Sequence, residues 1–133
     1  MWGILRTDEY SRRYKSYDKK KKNELKAVLN NLDIFLKALN SGKKPKPLLY
    51  GFLHGEPCDV IAIDQTGGPK VAATRLYVYP DLQTETLYLL TLGDKATQHD
   101  DIQNCRRFVE QIKTDLRGRP DNGDDEDDEQ DEE

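Results

Sequence analysis

The sequence predicts an α+β domain, in which an antiparallel sheet has its helices packed on one face. Two segments, at 18–40 and in the last third of the chain, carry apolar residues at the three- and four-residue steps of a helix. Between them lie three short apolar segments, at 59–65, 72–79 and 84–92. Consecutive strands joined by short turns pair antiparallel, so the predicted element order is β-α-α-β-β-β-α.

The first predicted elements are a short strand, in which apolar residues loosely alternate with small or polar ones, and a short helix. Thr7 is placed to cap this helix, because a threonine hydroxyl accepts a hydrogen bond from a free backbone amide of the first turn. Tyr10, Tyr14 and Tyr17 follow at helical steps and share one face.

The strongest helical signal runs from about Asp18 to Asn40, and Gly42 predicts where it stops. Its apolar stripe consists of Leu25, Val28, Leu29, Leu32, Phe35, Leu36 and Leu39. Lys19 to Lys22 open this helix, where positive charge opposes the helix dipole. This run indicates either selection for something besides helix stability or an ordinary solvated corner.

The segment "KKPKP" at 43–47 predicts a loop, because proline lacks an amide donor and restricts the residue before it. Turns between the three strands are predicted at "GG" 67–68 and "PD" 80–81. The last helix is predicted from Ile102, Cys105, Val109, Ile112 and Leu116, with two aspartates in its first turn.

Charge divides the chain into a domain at 1–117 and an acidic tail at 118–133, for which we expect disorder. The net charge of −4 averages ten acidic residues at 121–133 with a body at 1–120 that has 21 basic and 15 acidic residues. A cationic body favours a polyanion as its partner. The tail is interpreted as a solvated appendage, as a polyanion mimic that folds back over the basic surface, or as a partner contact.

Other compositional features lead us to expect neither a membrane segment nor a bound metal or small-molecule cofactor. There is no apolar run of about eighteen residues and no secretory leader pattern, so a cytoplasmic protein is expected. The two cysteines and two histidines show no zinc-ligand spacing, and the cysteines are interpreted as partly buried thiols.

Three motifs, "TRLYVYPD", "LYLLTLGDK" and "QHDDI", together with the element order, resemble the RelE/ParE toxin superfamily of bacterial toxin–antitoxin modules, especially its HigB-like, phage-associated branch. In that superfamily an arginine opens a middle strand, matched by Arg75. The next strand ends in a glycine followed by a basic residue, matched by Gly93 and Lys95. A lysine-bearing loop after the long helix is matched by Lys43, Lys44 and Lys46.

The resemblance implies a small endoribonuclease that enters the ribosomal decoding site, cleaves messenger RNA there without a metal, and is neutralised by a cognate antitoxin. A ParE-like branch of the same fold inhibits DNA gyrase instead. A catalytically inactive binding protein that kept the fold is the third alternative, because fold alone does not determine function.

Arg75 and Lys95 are the predicted phosphate-binding pair of this nuclease. The RNA's own 2′-hydroxyl is the nucleophile, so the protein must move protons and stabilise the charge of the phosphorane. The planar guanidinium of Arg75 suits two phosphate oxygens, and Lys95 supplies a point charge. In the alternative, Arg75 pairs with an acidic neighbour such as Asp64 or Asp94, and Lys95 only ends a strand in solvent.

The remaining predicted site residues move protons or bind RNA. His99, near Lys95 in sequence, is a candidate general acid, and Glu56 or His54 is a candidate general base. The lysines at 43–46 are predicted to hold RNA backbone. Tyr77 or Tyr79 is predicted to stack on a base, with packing in the core as the alternative.

Overall fold

The computed structural model describes residues 1–117 and confirms the α+β class. The acidic tail at 118–133 lies outside the described residues. The strands are β1 (Gly3–Arg6), β2 (Leu53–Gly55), β3 (Ile61–Asp64), β4 (Arg75–Asp81) and β5 (Thr86–Gly93). The helices are α1 (Asp8–Lys20), α2 (Lys22–Asn40) and α3 (Gln98–Arg117), and short 3₁₀ turns span Pro47–Leu49 and Pro57–Asp59. No helix within this range combines the length and the apolar composition needed to cross a membrane.

The sheet is mixed, so the prediction of a wholly antiparallel sheet is wrong. Its strand order is β1-β5-β4-β3-β2, and the pairs from β5 to β2 are antiparallel. β1 instead runs parallel to β5, with Gly3 opposite Thr86. Tight connections fix the direction of the last four strands, whereas two whole helices separate β1 from the next strand and leave its direction to long-range packing.

Helices cover both faces of the sheet, which corrects the prediction that they pack on one face. Ile61 and Ile63 belong to the core that contains α1 and α2. Val60 and Ala62 point the other way, into a second core built with Cys105 of α3. A strand that is apolar on both sides needs cover on both sides. Burial in this second core raises the pKa of the Cys105 thiol to about 12, so the thiol is protonated at neutral pH.

α1 is fastened to the part of β5 that β1 does not reach. β1 pairs only with residues 86–89, so the β5 carbonyls beyond this segment need other donors. The Thr7 hydroxyl donates to the carbonyl of Leu90 at 2.6 Å, and Arg13 Nη1 donates to that of Leu92 at 2.6 Å. Thr7 Oγ1 also accepts from the Tyr10 amide at 3.0 Å, which confirms it as the cap of α1.

Several predicted boundaries shift by a few residues. α2 begins at Lys22 rather than near Asp18, because Lys21 ends α1 and separates the helices. Gly42 follows the end of α2 with a φ of 99°, as expected for a glycine stop. The "PD" pair ends β4 instead of making its turn, which falls at 82–85 and includes Glu85 at a φ of 49°.

Candidate functional site

Arg75 and Lys95 lie at one edge of the sheet. Arg75 opens β4 and pairs in register with Gly93, the last residue of β5. Lys95 follows in the loop to α3, and both side chains line a cavity of about 190 Å³. Asp64 of β3 and Gln98 of α3 also line this cavity. Two cations from different parts of the chain therefore face a single opening.

Arg75 is held by two carboxylates. Its Nε lies 2.9 Å from Asp64 Oδ1, and its Nη1 lies 3.5 Å from Glu56 Oε2. These are ion pairs of a half-buried guanidinium, whose side chain is 25% exposed. The pairing with Asp64 was one of the alternatives from sequence, whereas Asp94 pairs with Lys21 instead, at 3.6 Å.

His54 joins the same group of charges through Asp64. Its Nε2 lies 2.6 Å from Asp64 Oδ2, and its side chain is 44% exposed. The contact follows from strand register, because His54 pairs with Ala62 and is therefore a diagonal neighbour of Asp64 on the same face. Together His54, Asp64, Arg75 and Glu56 form a chain of alternating charge, which we call the charged cluster.

Glu56 reaches Arg75 from a tightly folded loop. Its amide donates to the carbonyl of Val60 at 2.8 Å, which closes the loop between β2 and β3. Cys58 and Asp59 inside this loop have φ values of 63° and 64°, which non-glycine residues seldom adopt. The Glu56 side chain is only 14% exposed and stays directed at Arg75. The loop therefore fixes one end of the charged cluster.

The two tyrosines predicted to stack on a base are buried. Tyr77 and Tyr79 are both buried in the core under α3, so neither ring has an exposed face for stacking and the alternative of core packing holds. Burial raises the pKa of Tyr77, whose hydroxyl has no hydrogen-bond partner within the described part of the chain. Both are on the sheet face that α3 covers, which explains why the prediction failed.

Other predicted site residues lie away from the cavity. Gln98 lines it, whereas the next residue, His99, is exposed on α3 and does not. Lys43, Lys44 and Lys46 are exposed in the loop after α2. The prolines of that loop line a different cavity, of about 430 Å³, near the far end of β4. The structure therefore joins His54 and Glu56 to Arg75, but not His99 or these three lysines.

The loop that carries Lys95 is braced by a reciprocal cap. The Thr97 amide donates to Asp94 Oδ1 and the Asp94 amide donates to Thr97 Oγ1, each at 3.1 Å. This reciprocal pair closes the turn that leads into α3. Although partial burial disfavours the charged carboxylate, the bond from Thr97 and the charge of Lys21 keep the pKa of Asp94 below its ordinary value. Lys95 therefore lies in a turn whose backbone is held by hydrogen bonds on both sides of it.

Asp101 packs the start of α3 against Gly93, which has no side chain to keep the helix away. Its carboxylate is completely buried and accepts a 2.6 Å hydrogen bond from the Thr97 hydroxyl. Arg13 Nη2 lies 3.4 Å from the other oxygen. Burial raises the pKa of Asp101, although Thr97 and Arg13 both oppose the shift. This role of Asp101 was not predicted from the sequence. The glycine at the end of β5 was the feature that indicates close packing at this point.

None of the family models, curated proteins or solved structures compared with the chain matches it. The function is therefore argued from the charged cluster and its cavity.

Replacing Arg13 with glutamine is expected to lower the free energy of unfolding by about 2 kcal/mol near neutral pH, because the buried Asp101 charge loses its counterion and the Leu92 carbonyl loses a donor. Asp101 has a folded pKa above its unfolded value, ordinarily 3.8, so ionisation of this group costs stability as pH rises through that window. The deficit should therefore shrink towards acidic pH, as measured by urea denaturation across pH.

The matched control is Arg12→Gln, on the same helix but 68% exposed where Arg13 is 23% exposed. It should change stability by about 0.5 kcal/mol or less, because exposed ion pairs contribute little. Equal effects of the two substitutions, or a deficit in Arg13→Gln that does not vary with pH, would show that Asp101 does not hold the start of α3 as described above.

Proposed function

We propose that the chain is the toxin of a type II toxin–antitoxin module and acts in the cytoplasm as a ribosome-dependent, metal-free endoribonuclease that cleaves messenger RNA. A cognate antitoxin is its expected inhibitor. The observation that supports this function is the charged cluster, in which two proton-transfer groups, His54 and Glu56, flank Arg75. Lys95 faces the same cavity and adds a second cation for the phosphate.

The proposed reaction is an internal transfer of the phosphodiester. Glu56 accepts the proton of the 2′-hydroxyl while the 2′-oxygen bonds to phosphorus. The bond from phosphorus to the 5′-oxygen breaks, and the His54 imidazolium donates a proton to that leaving oxygen. Asp64 holds the imidazole in position through the 2.6 Å contact. The products are a 2′,3′-cyclic phosphate and a 5′-hydroxyl.

Substrate binding and base activation are coupled in this scheme through Arg75. Its contact to Glu56, at 3.5 Å, is longer than its contact to Asp64, at 2.9 Å. A phosphate that enters the cavity therefore competes first for the guanidinium nitrogen that faces Glu56. Displaced from Arg75, the Glu56 carboxylate becomes free to take a proton. Arg75 and Lys95 then share the extra negative charge of the phosphorane.

The test is induced expression in bacteria combined with a purified assay of ribosomes, messenger RNA and the full chain. We expect growth arrest, cut messages, and 2′,3′-cyclic phosphate ends. Growth arrest with intact messages and DNA damage signalling would instead support the gyrase-inhibiting alternative. Equal cleavage of messenger RNA without ribosomes, or products with 3′-hydroxyl ends in place of cyclic phosphates, would contradict the proposal.

A second function, that of a catalytically inactive binding protein with this fold, is favoured by one observation. Arg75 is neutralised by two carboxylates, so the free protein does not offer it as an isolated phosphate anchor. Under this alternative, expression is harmless and messages stay intact, while a binding partner is still retained. The same expression experiment therefore separates the two functions.

A further inference from the structure

A run of lysines lies where α1 and α2 meet. Lys19 and Lys20 end α1, Lys21 lies between the helices, and Lys22 begins α2. All four are exposed. Lys21 pairs with Asp94 at 3.6 Å, whereas the other three form no ion pair with any residue in the range 1–117. We call Lys19, Lys20 and Lys22 the lysine surface.

Helix stability explains only part of the lysine surface. Lys19 and Lys20 lie in the last turn of α1, where the helix dipole favours positive charge. Lys22 lies in the first turn of α2, where the dipole disfavours it, and is four residues before Lys26, a like-charge spacing that destabilises a helix slightly. Lys22 therefore costs helix stability, and the concentration of unpaired positive charge is complementary to a polyanion.

One member of the lysine surface, Lys20, lines a cavity next to the one that holds Arg75. Lys20 and Lys21 line a cavity of about 140 Å³ together with Asp94 and Thr97. Asp94 also lines the 190 Å³ cavity that holds Arg75. A strand that places one phosphate at Arg75 can therefore continue over the loop at 94–97 towards the end of α1.

We propose that the lysine surface binds backbone phosphates of the RNA strand next to the bond that is cleaved. This inference rests on the proposed function and adds to it an extended contact with the substrate. Lysine ammonium groups on flexible stems contact phosphate as point charges and do not read base edges. The surface therefore supplies affinity and register for the strand, and no sequence preference.

The test measures equilibrium binding of a short fluorescent 2′-O-methyl RNA, which cannot be cleaved because its nucleophile is blocked. The triple variant Lys19→Gln, Lys20→Gln, Lys22→Gln should bind about 100-fold more weakly at about 0.1 M salt, and the slope of log affinity against log salt should fall by about 2. Its midpoint of urea denaturation should stay close to that of the unchanged chain, because the favourable charges lost at the end of α1 offset the unfavourable charge lost at the start of α2.

The matched control is Lys37→Gln, Arg106→Gln, Arg107→Gln, which removes equal charge from exposed positions of α2 and α3 that line neither of these two cavities. Its salt slope should stay unchanged. If the two triple variants weaken binding equally, the lysine surface has no special role and the inference is overturned. If neither does but Arg75→Lys still weakens binding, the inference fails while the proposed function stands. If the unchanged chain does not bind RNA, the inference fails, while the cleavage assay with ribosomes still decides the proposed function.

Discussion

Gly93→Ala is expected to lower the free energy of unfolding by about 3 kcal/mol and the melting temperature by roughly 10 °C, a large effect for the addition of one methyl group. A Cβ at Gly93 would lie 1.8 Å from Asp101 Oδ2 and 2.6 Å from Thr97 Oγ1. Neither oxygen can move away easily, because the hydroxyl and the carboxylate are hydrogen-bonded to each other. The first turn of α3 must therefore shift.

The same substitution should also reduce RNA cleavage, since Lys95 and Gln98 lie on the segment that shifts. A misplacement of about 1 Å can cost about 100-fold in rate. Gly3→Ala is the matched control, because a Cβ at Gly3 would have no atom within 4 Å. The measurement is the melting temperature of the two variants. If Gly93→Ala melts no lower than Gly3→Ala, α3 does not pack on β5 as described.

Arg75→Lys is expected to reduce the rate of message cleavage by about 100-fold, the second large effect, with little change in folding. Lysine keeps the positive charge but loses the planar fork that contacts both Asp64 and Glu56. The single ammonium group of the new lysine can contact one carboxylate or the phosphate. It cannot both stabilise the phosphorane and free Glu56 to act as the base. The rate should be measured at saturating messenger RNA with ribosomes present.

A matched control for this substitution is Arg107→Lys on the exposed side of α3, where, within the range 1–117, the arginine donates a hydrogen bond to Asn104 at 3.3 Å. Cleavage by that variant should equal that of the unchanged chain. Full activity in Arg75→Lys would contradict the role given to the guanidinium and would move the phosphate site towards Lys95 alone.

Much of the fold could be predicted from sequence, because the long apolar periods of α2 and α3 and the apolar segments of β3 to β5 are strong local signals. β2 was missed, since it has only three residues within a glycine- and proline-rich segment. A feature of the sequence did indicate the second helical layer. The unbroken run from Val60 to Ile63 has no polar face, and such a strand is buried on both sides.

The candidate site was predictable as a set of residues but not as an arrangement. Arg75 and Lys95 were named from motif positions, and Glu56 and His54 from their chemistry. The contact between His54 and Asp64 depends on the register of β2 against β3, which is unknown until β2 is recognised as a strand. Register also decides that the rings of Tyr77 and Tyr79 face α3, because alternate residues of one strand share a face.

The parallel pairing of β1 with β5 has a consequence for how the protein is made. Thr7 bonds to Leu90 across 83 residues of sequence, so β1 has no strand partner until β5 has been translated. Asp101, which fixes the start of α3, is translated later still. Under the proposed function, the cleavage site of the nascent polypeptide therefore assembles only after the ribosome has translated α3.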